Sequence, residues 1–338
     1  MAFLDRPSVL LSRRSGEAST AAPSRRSASI GWVPTSWLRP SAAVFAITAA
    51  LALAVDVRAH PGTQSAARPL VPRGDLLVGD HRGRLLVLNR TGKLVRRLPR
   101  ARLVRTPQAI ELAPDRRHAF ISVHMSEQPA RLYDVDLSTG AKRLIANAIS
   151  PALSPQRTQL AYVTIARRPN SEIIDRTALV IRNLRTGHTR SIPFAPNVPL
   201  GTPPELIINW SPDGTTIAVF DGRAIRLVDV ASATTLPSQP LLPGDTPTPG
   251  RTSLLAPVFL NGGTLIVLAG CCIGPQQLVA VDLSSGGRES FAKLSSPPEN
   301  LKRLKPGLLL TVTALNELVI VSRGHSRVIA RGIVAAAG

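Results

Sequence analysis

Glycines at positions 92, 140, 187 and 286 each close a short polar turn, and they stand 48, 47 and 99 residues apart, the last interval being two periods. A fixed period of this size indicates a repeat architecture, and about 40 to 50 residues is what one four-stranded antiparallel unit consumes. The turns read Arg90-Thr91-Gly92, Ser138-Thr139-Gly140, Arg185-Thr186-Gly187 and Ser284-Ser285-Gly286. A second family of turns alternates with them: Pro72-Arg73-Gly74, Pro114-Asp115, Pro155-Gln156, Pro212-Asp213-Gly214, Asn261-Gly262-Gly263 and Pro306-Gly307. Proline presets φ, aspartate bonds nearby backbone, and glycine takes positive φ without a Cβ clash, so these positions are structural turns between short strands.

Residues 209–235, NWSPDGTTIAVFDGRAIRLVDVASATT, spell out one unit most fully. After the Ser211-Pro212-Asp213-Gly214 turn, residues 216–220 are a short β-branched and aromatic strand. Asp221-Gly222 signals a tight hairpin of the type I′ kind, and residues 225–230 return. One such meander has too little apolar surface to fold alone, so it needs neighbours. Six units begin near residues 70, 108, 149, 204, 255 and 299. The expectation is an all-β fold: a six-bladed β-propeller of four-stranded antiparallel blades over 71–338, preceded by a disordered N-terminal tail and one apolar helix. The first unit lacks an innermost strand before Pro72, so either 332–338 or 68–71 should complete it and close the ring. Three stretches read as variable loops: 166–176, 193–204 and 236–257.

The SPDG turn, its following strand and the later Asp-Leu-Ser-Thr-Gly turn of residues 136–140 (Asp-Leu-Ser-Ser-Gly in 282–286) together resemble the WD40-like, TolB-type β-propeller repeat. The likeness covers roughly 70–338. Only the fourth unit carries the full motif; the third has Ser154-Pro155-Gln156-Arg157 and the sixth keeps Pro306-Gly307. The resemblance implies a binding scaffold, mostly non-catalytic in that family. It implies no role in a Tol system, and neither the N-terminal domain of TolB nor the hydrolase domain that follows some related propellers is expected here.

Residues 1–40 hold six arginines against Asp5 and Glu17 and read as a disordered cytoplasmic tail. Residues 41–55, SAAVFAITAALALAV, carry no charge. Fifteen residues suit a signal-peptide core better than a membrane span, which needs about 20. Val57-Arg58-Ala59 offers a cleavage site near Ala59, while Trp32 and Trp37 could extend the span as interfacial anchors. Segment 41–59 is therefore either a signal peptide or a single membrane anchor, and both readings place the propeller outside the cytoplasm. Residues 60–70 are a linker.

Chemistry is sparse in the rest of the chain. Six histidines are scattered at 60, 81, 118, 124, 188 and 325, and no HExxH, P-loop or nucleophile-elbow pattern occurs. Ser326 adjoins His325, but neighbours on a strand point to opposite faces. No catalytic residue, cofactor site or metal site is assigned. Cys271 and Cys272, between the two middle strands of blade five, either form a strained vicinal disulfide or stay as thiols.

The net charge is +20, and losing seven arginines and three acids with residues 1–59 leaves +16. Only five basic residues are lysines, so the balance reflects an arginine-rich composition of the kind high-GC bacterial genomes encode. Anionic envelope polymers remain candidate ligands. Nucleic acid is not expected, because export and the 4% aromatic content both argue against base stacking. The sequence thus points to an exported, non-enzymatic propeller binding a protein partner at the cell envelope. The alternative is a propeller that acts on an anionic envelope-derived molecule through its central channel.

Overall fold

The computed structural model describes residues 68–125, 128–167, 174–194, 207–220, 225–235, 257–269 and 276–338. All of these belong to one compact unit, Gln64–Gly338. The arginine-rich tail, the apolar segment 41–55, the signal or anchor assignment, and Cys271 and Cys272 lie outside the described residues.

The described chain forms six four-stranded antiparallel sheets, which are the blades of a propeller. Blade one begins with β1 (Leu76–Asp80), β2 (Leu85–Leu88) and β3 (Leu94–Leu98). Blade two is β4 (Pro107–Leu112), β5 (His118–Met125), β6 (Gln128–Asp136) and β7 (Lys142–Ala146). Blade three is β8 (Ala148–Leu153), β9 (Gln159–Arg167), β10 (Ile174–Asn183) and β11 (Thr189–Phe194). Blade four is β12 (Ile207–Trp210), β13 (Thr216–Phe220), β14 (Ile225–Asp229) and β15 (Thr234–Thr235). Blade five is β16 (Val258–Phe259), β17 (Thr264–Ala269), β18 (Gln276–Asp282) and β19 (Arg288–Leu294). Blade six is β20 (Pro298–Lys305), β21 (Leu308–Thr313), β22 (Glu317–Ser322) and β23 (His325–Arg331).

The chain then turns at Gly332 and runs as β24 (Ile333–Ala337) beside β1, so the end of the sequence supplies the innermost strand of blade one. Of the two segments that could close the ring, it is this one. Residues 68–71 form no strand; Val71 is buried, and its N–H donates to the carbonyl of Arg116 in blade two at 3.3 Å.

Strand alternation divides the core among the blade interfaces. On β1, Leu77 faces a cluster with Ile110 and Ile121 of blade two, while Leu76 and Val78 face Leu310 and Val312 of blade six. The same two-sided pattern repeats around the ring, giving one apolar cluster for each pair of neighbouring blades. Side chains at i and i+1 point to opposite faces of a strand, so a near-continuous apolar run such as Leu-Leu-Val serves two interfaces at once.

Two local expectations change. The ends of the stretch 166–176 are strand rather than loop, because Arg167 pairs with Ile174 and Ala166 with Arg176. Ladder hydrogen bonds are made by backbone, so the polar residues there do not end the strands. In blade four Phe220 pairs with Ile225, in keeping with the expected strands, and the Asp221-Gly222 turn lies outside the described residues. The stretch 193–204 also begins as strand, since Pro193 pairs with Ala178.

Candidate functional site

The six innermost strands, β24, β4, β8, β12, β16 and β20, surround the central channel and turn their unpaired edges toward it. A carbonyl left unpaired away from water is costly, and here side chains from other blades supply donors. Lys302 on β20 donates to the carbonyl of Ile110 and to the carboxylate of Glu111, both on β4. That contact joins blades six and two past the strand of blade one. Asn209 on β12 donates its amide to the carbonyl of Pro257 at 2.7 Å and to that of Leu301 on β20 at 3.3 Å, joining blades four and six. Arg157 of blade three donates to the Gly338 carbonyl, beyond β24, at 3.3 Å. Among the described residues three contacts therefore join alternate blades, each reaching past the innermost strand of the blade between.

The turns that leave the innermost strands ring one end of this channel. In blade four Ser211 starts the turn, its hydroxyl accepting the Thr216 N–H at 2.9 Å, and Gly214 takes φ 78°. Blades two and three place Arg116 (φ 54°) and Arg157 (φ 58°) where blade four has that glycine. These strained positions point two guanidinium groups along the rim. Arg116 donates Nε to the Val71 carbonyl and Nη2 to the Pro72 carbonyl, each at 2.7 Å, and Nη2 also to that of Asp75 at 3.1 Å. It thereby ties the turn of blade one to blade two. Burial, then the charge of Arg157, lowers the Arg116 pKa from its ordinary value against the opposing pull of Asp75. Arg303, at the end of β20, is half-buried; burial alone lowers its pKa, and it has no ion pair or hydrogen bond among the described residues.

The acids of the repeat are engaged differently. Asp136 accepts from the Ser138 N–H at 2.7 Å and hydroxyl at 2.6 Å, and Asp282 accepts from the N–H and hydroxyl groups of both Ser284 and Ser285. The Ser138 hydroxyl in the first case and the Ser284 hydroxyl in the second lead the donors that hold each carboxyl down at about 2. Asn89 and Asn183 do the same work in blades one and three, and Asp229 in blade four. Asp213 is bound by Ser211 and Thr215 in the same way. Asp115 accepts from the Arg117 N–H and pairs with His118 at 2.6 Å. Burial disfavours the His118 cation, but the Asp115 hydrogen bond and the charges of Asp115, Asp134 and Asp136 outweigh it and raise its pKa.

The structure places Pro114, Asp115, Pro155, Pro212, Asp213, Gly214, Gly262, Pro306 and Gly307 in the connections after the innermost strands, with Pro72 and Gly74 just before β1. The residues of these contacts, Lys302, Glu111, Asn209 and Arg157, and the half-buried Arg303 are missed by the motif reading. Their one sequence signal is charge in an innermost strand, since Pro298–Lys305 carries Glu299, Lys302, Arg303 and Lys305.

The sequence matches no protein-family model, and no curated protein matches it. The structure is similar to that of TolB from Acinetobacter baumannii, with 13% identity and a TM-score of 0.52, over 78% of this chain and 65% of that one. It is similar also to a putative TolB from Agrobacterium tumefaciens, with 14% identity and a TM-score of 0.50, over 76% and 88% of the two chains. The fold is that of a TolB-type propeller. This TolB-type ring spans 65% of the length of the Acinetobacter protein. An oligogalacturonate lyase in complex with manganese is a further neighbour, at 14% identity and a TM-score of 0.48, over 76% of this chain and 78% of that one.

Proposed function

We propose that this TolB-type propeller is an exported, non-catalytic scaffold that binds a protein partner at the bacterial cell envelope. The observation that carries the reading is that polar side chains of the innermost strands and their turns are spent on the fold itself: Lys302 to Glu111, Asn209 to Leu301 and Arg157 to Gly338 each join alternate blades. The groups left to meet a ligand are those of the rim and the blade connections. The aspartates of the repeat turns are already saturated by turn donors, which suits a structural part for them. Blades without long exposed edges tolerate varied connections, so a rim of this kind serves recognition. The alternative, chemistry or binding of an anionic small molecule or polymer along the channel, draws on the same arginines.

The test is a crosslinking pull-down from intact cells of the source bacterium with the full chain tagged at its C-terminus, combined with fractionation and N-terminal sequencing. The expected result is one specific envelope protein and either a start near His60 or an intact membrane-bound N-terminus. A chain found only in the cytosol contradicts the proposal.

A further inference from the structure

The rim holds more positive charge than the fold consumes. Arg303 is a half-buried guanidinium with no partner among the described residues, so most of the cost of taking it out of water is met without a compensating contact. Lys305 and Arg73 are exposed on either side of the blade-six and blade-one junction. Arg116 and Arg157 continue the arc through blades two and three, donating to backbone carbonyls rather than to acids. Blade four breaks the arc with Asp213, and blade five contributes the neutral Asn261.

We infer that this arc, running from Arg303 and Lys305 through Arg73 to Arg116 and Arg157, receives an acidic segment of the partner protein. The inference deepens the scaffold reading and rests on it. An incoming carboxylate gives Arg303 a charge-assisted hydrogen bond in a site already partly desolvated, where such bonds are stronger than in water. Asp75 and Asp115 lie within the arc, but its five cations outnumber these two acids, and the net positive charge on this part of the rim fits a segment whose acids are local. A long polyanion that followed the rim would meet Asp213 at blade four, whereas a short acidic segment fits within the arc.

The probe is fluorescein-labelled hexaglutamate, titrated by anisotropy into the full-length chain at low salt. Arg303→Gln should weaken binding about tenfold, the effect of removing one hydrogen bond between charged groups. Arg157→Gln should weaken it several-fold. Arg327→Gln removes the same charge from the exposed outer strand β23 and should change binding less than about twofold. Since the Arg303 side chain has no partner among the described residues, the melting temperature of Arg303→Gln should equal or exceed that of the parent, which separates a binding role from a structural one. Equal losses in Arg303→Gln and Arg327→Gln overturn the inference, as does Arg303-dependent binding of a six-phosphate polyphosphate in place of hexaglutamate. No hexaglutamate binding beside a crosslinked protein partner removes this site alone. Hexaglutamate binding with no protein partner in cells removes the scaffold reading and the inference with it.

Discussion

Lys302 in blade six meets the carboxylate of Glu111 in blade two, passing the innermost strand of blade one on the way. Their side chains are 17% and 18% exposed, so the pair is largely removed from water and also caps the Ile110 carbonyl. A ring held only by neighbour contacts could open at any interface; this contact couples three blades together.

Replacing Lys302 with Met should cost roughly 2 kcal/mol, because it strands a half-desolvated carboxylate and an unpaired carbonyl. Adding Glu111→Gln should recover part of that loss by removing the stranded charge. Urea unfolding midpoints of the two single variants and the double decide it; additive losses contradict the coupling.

Gly140 approaches the blade-one backbone so closely that a Cβ would lie 1.7 Å from the Arg100 carbonyl oxygen, at φ 78°. Gly307 has similar φ, 72°, but nothing within 4 Å of the added atom. Gly307→Ala should therefore cost only the left-handed penalty, roughly 1–2 kcal/mol. Gly140→Ala must also push two blades apart and should cost several times more or prevent folding. Similar melting temperatures for the two variants would falsify this packing.

Asp136 is held at about 2, below its ordinary 3.8, first by the Ser138 hydroxyl and then by turn N–H groups that outweigh burial. A depressed carboxylate contributes stability that is present above its unfolded value and lost as pH falls through the folded value. Asp136→Asn keeps the acceptor, as Asn183 does naturally in blade three, so it should be near neutral at pH 7. The variant should flatten the fall in stability between about pH 4 and pH 2. Acid titration followed by circular dichroism tests this, and an unchanged slope counts against it.

His118 has the opposite sign. Its raised pKa contributes stability that is complete below the unfolded value near 6.5 and fades as pH rises through the folded value. His118→Gln should remove that dependence, and an NMR titration of the His118 ring should show a midpoint above 6.5. A midpoint at or below it contradicts the Asp115 pairing.

Removing residues 332–338 takes away β24 while leaving β23 whole, and with β24 goes the pairing of Ala337 with Leu77 and Ala336 with Val78. Blade one then presents an unpaired inner edge, and cooperative unfolding should be lost. A melt with unchanged midpoint and cooperativity argues against closure by this strand.

The blades were legible because their signals are local: proline, aspartate and glycine fix turns one at a time, and a period repeats them. Blade four shows the limit. Its last turn has Ala233 at φ 59° in place of glycine, with Asp229 still accepting from Ser232, so geometry persists where the motif has decayed. The site was hardly legible. Lys302 and Glu111 are 191 residues apart, and no pattern in the sequence says that side chains from two innermost strands of non-adjacent blades will meet. Arg116 and Arg157 hide for a related reason, since arginine in a glycine position looks like decay of the repeat until its contacts are seen.

The most direct test of the scaffold account is site-specific photocrosslinking in intact cells, with a photoreactive residue at Lys305 on the rim and, separately, at Arg327 on β23. The account predicts one discrete protein adduct from position 305 and little from position 327. Absence of a protein adduct at 305, or the same diffuse products at both positions, contradicts it.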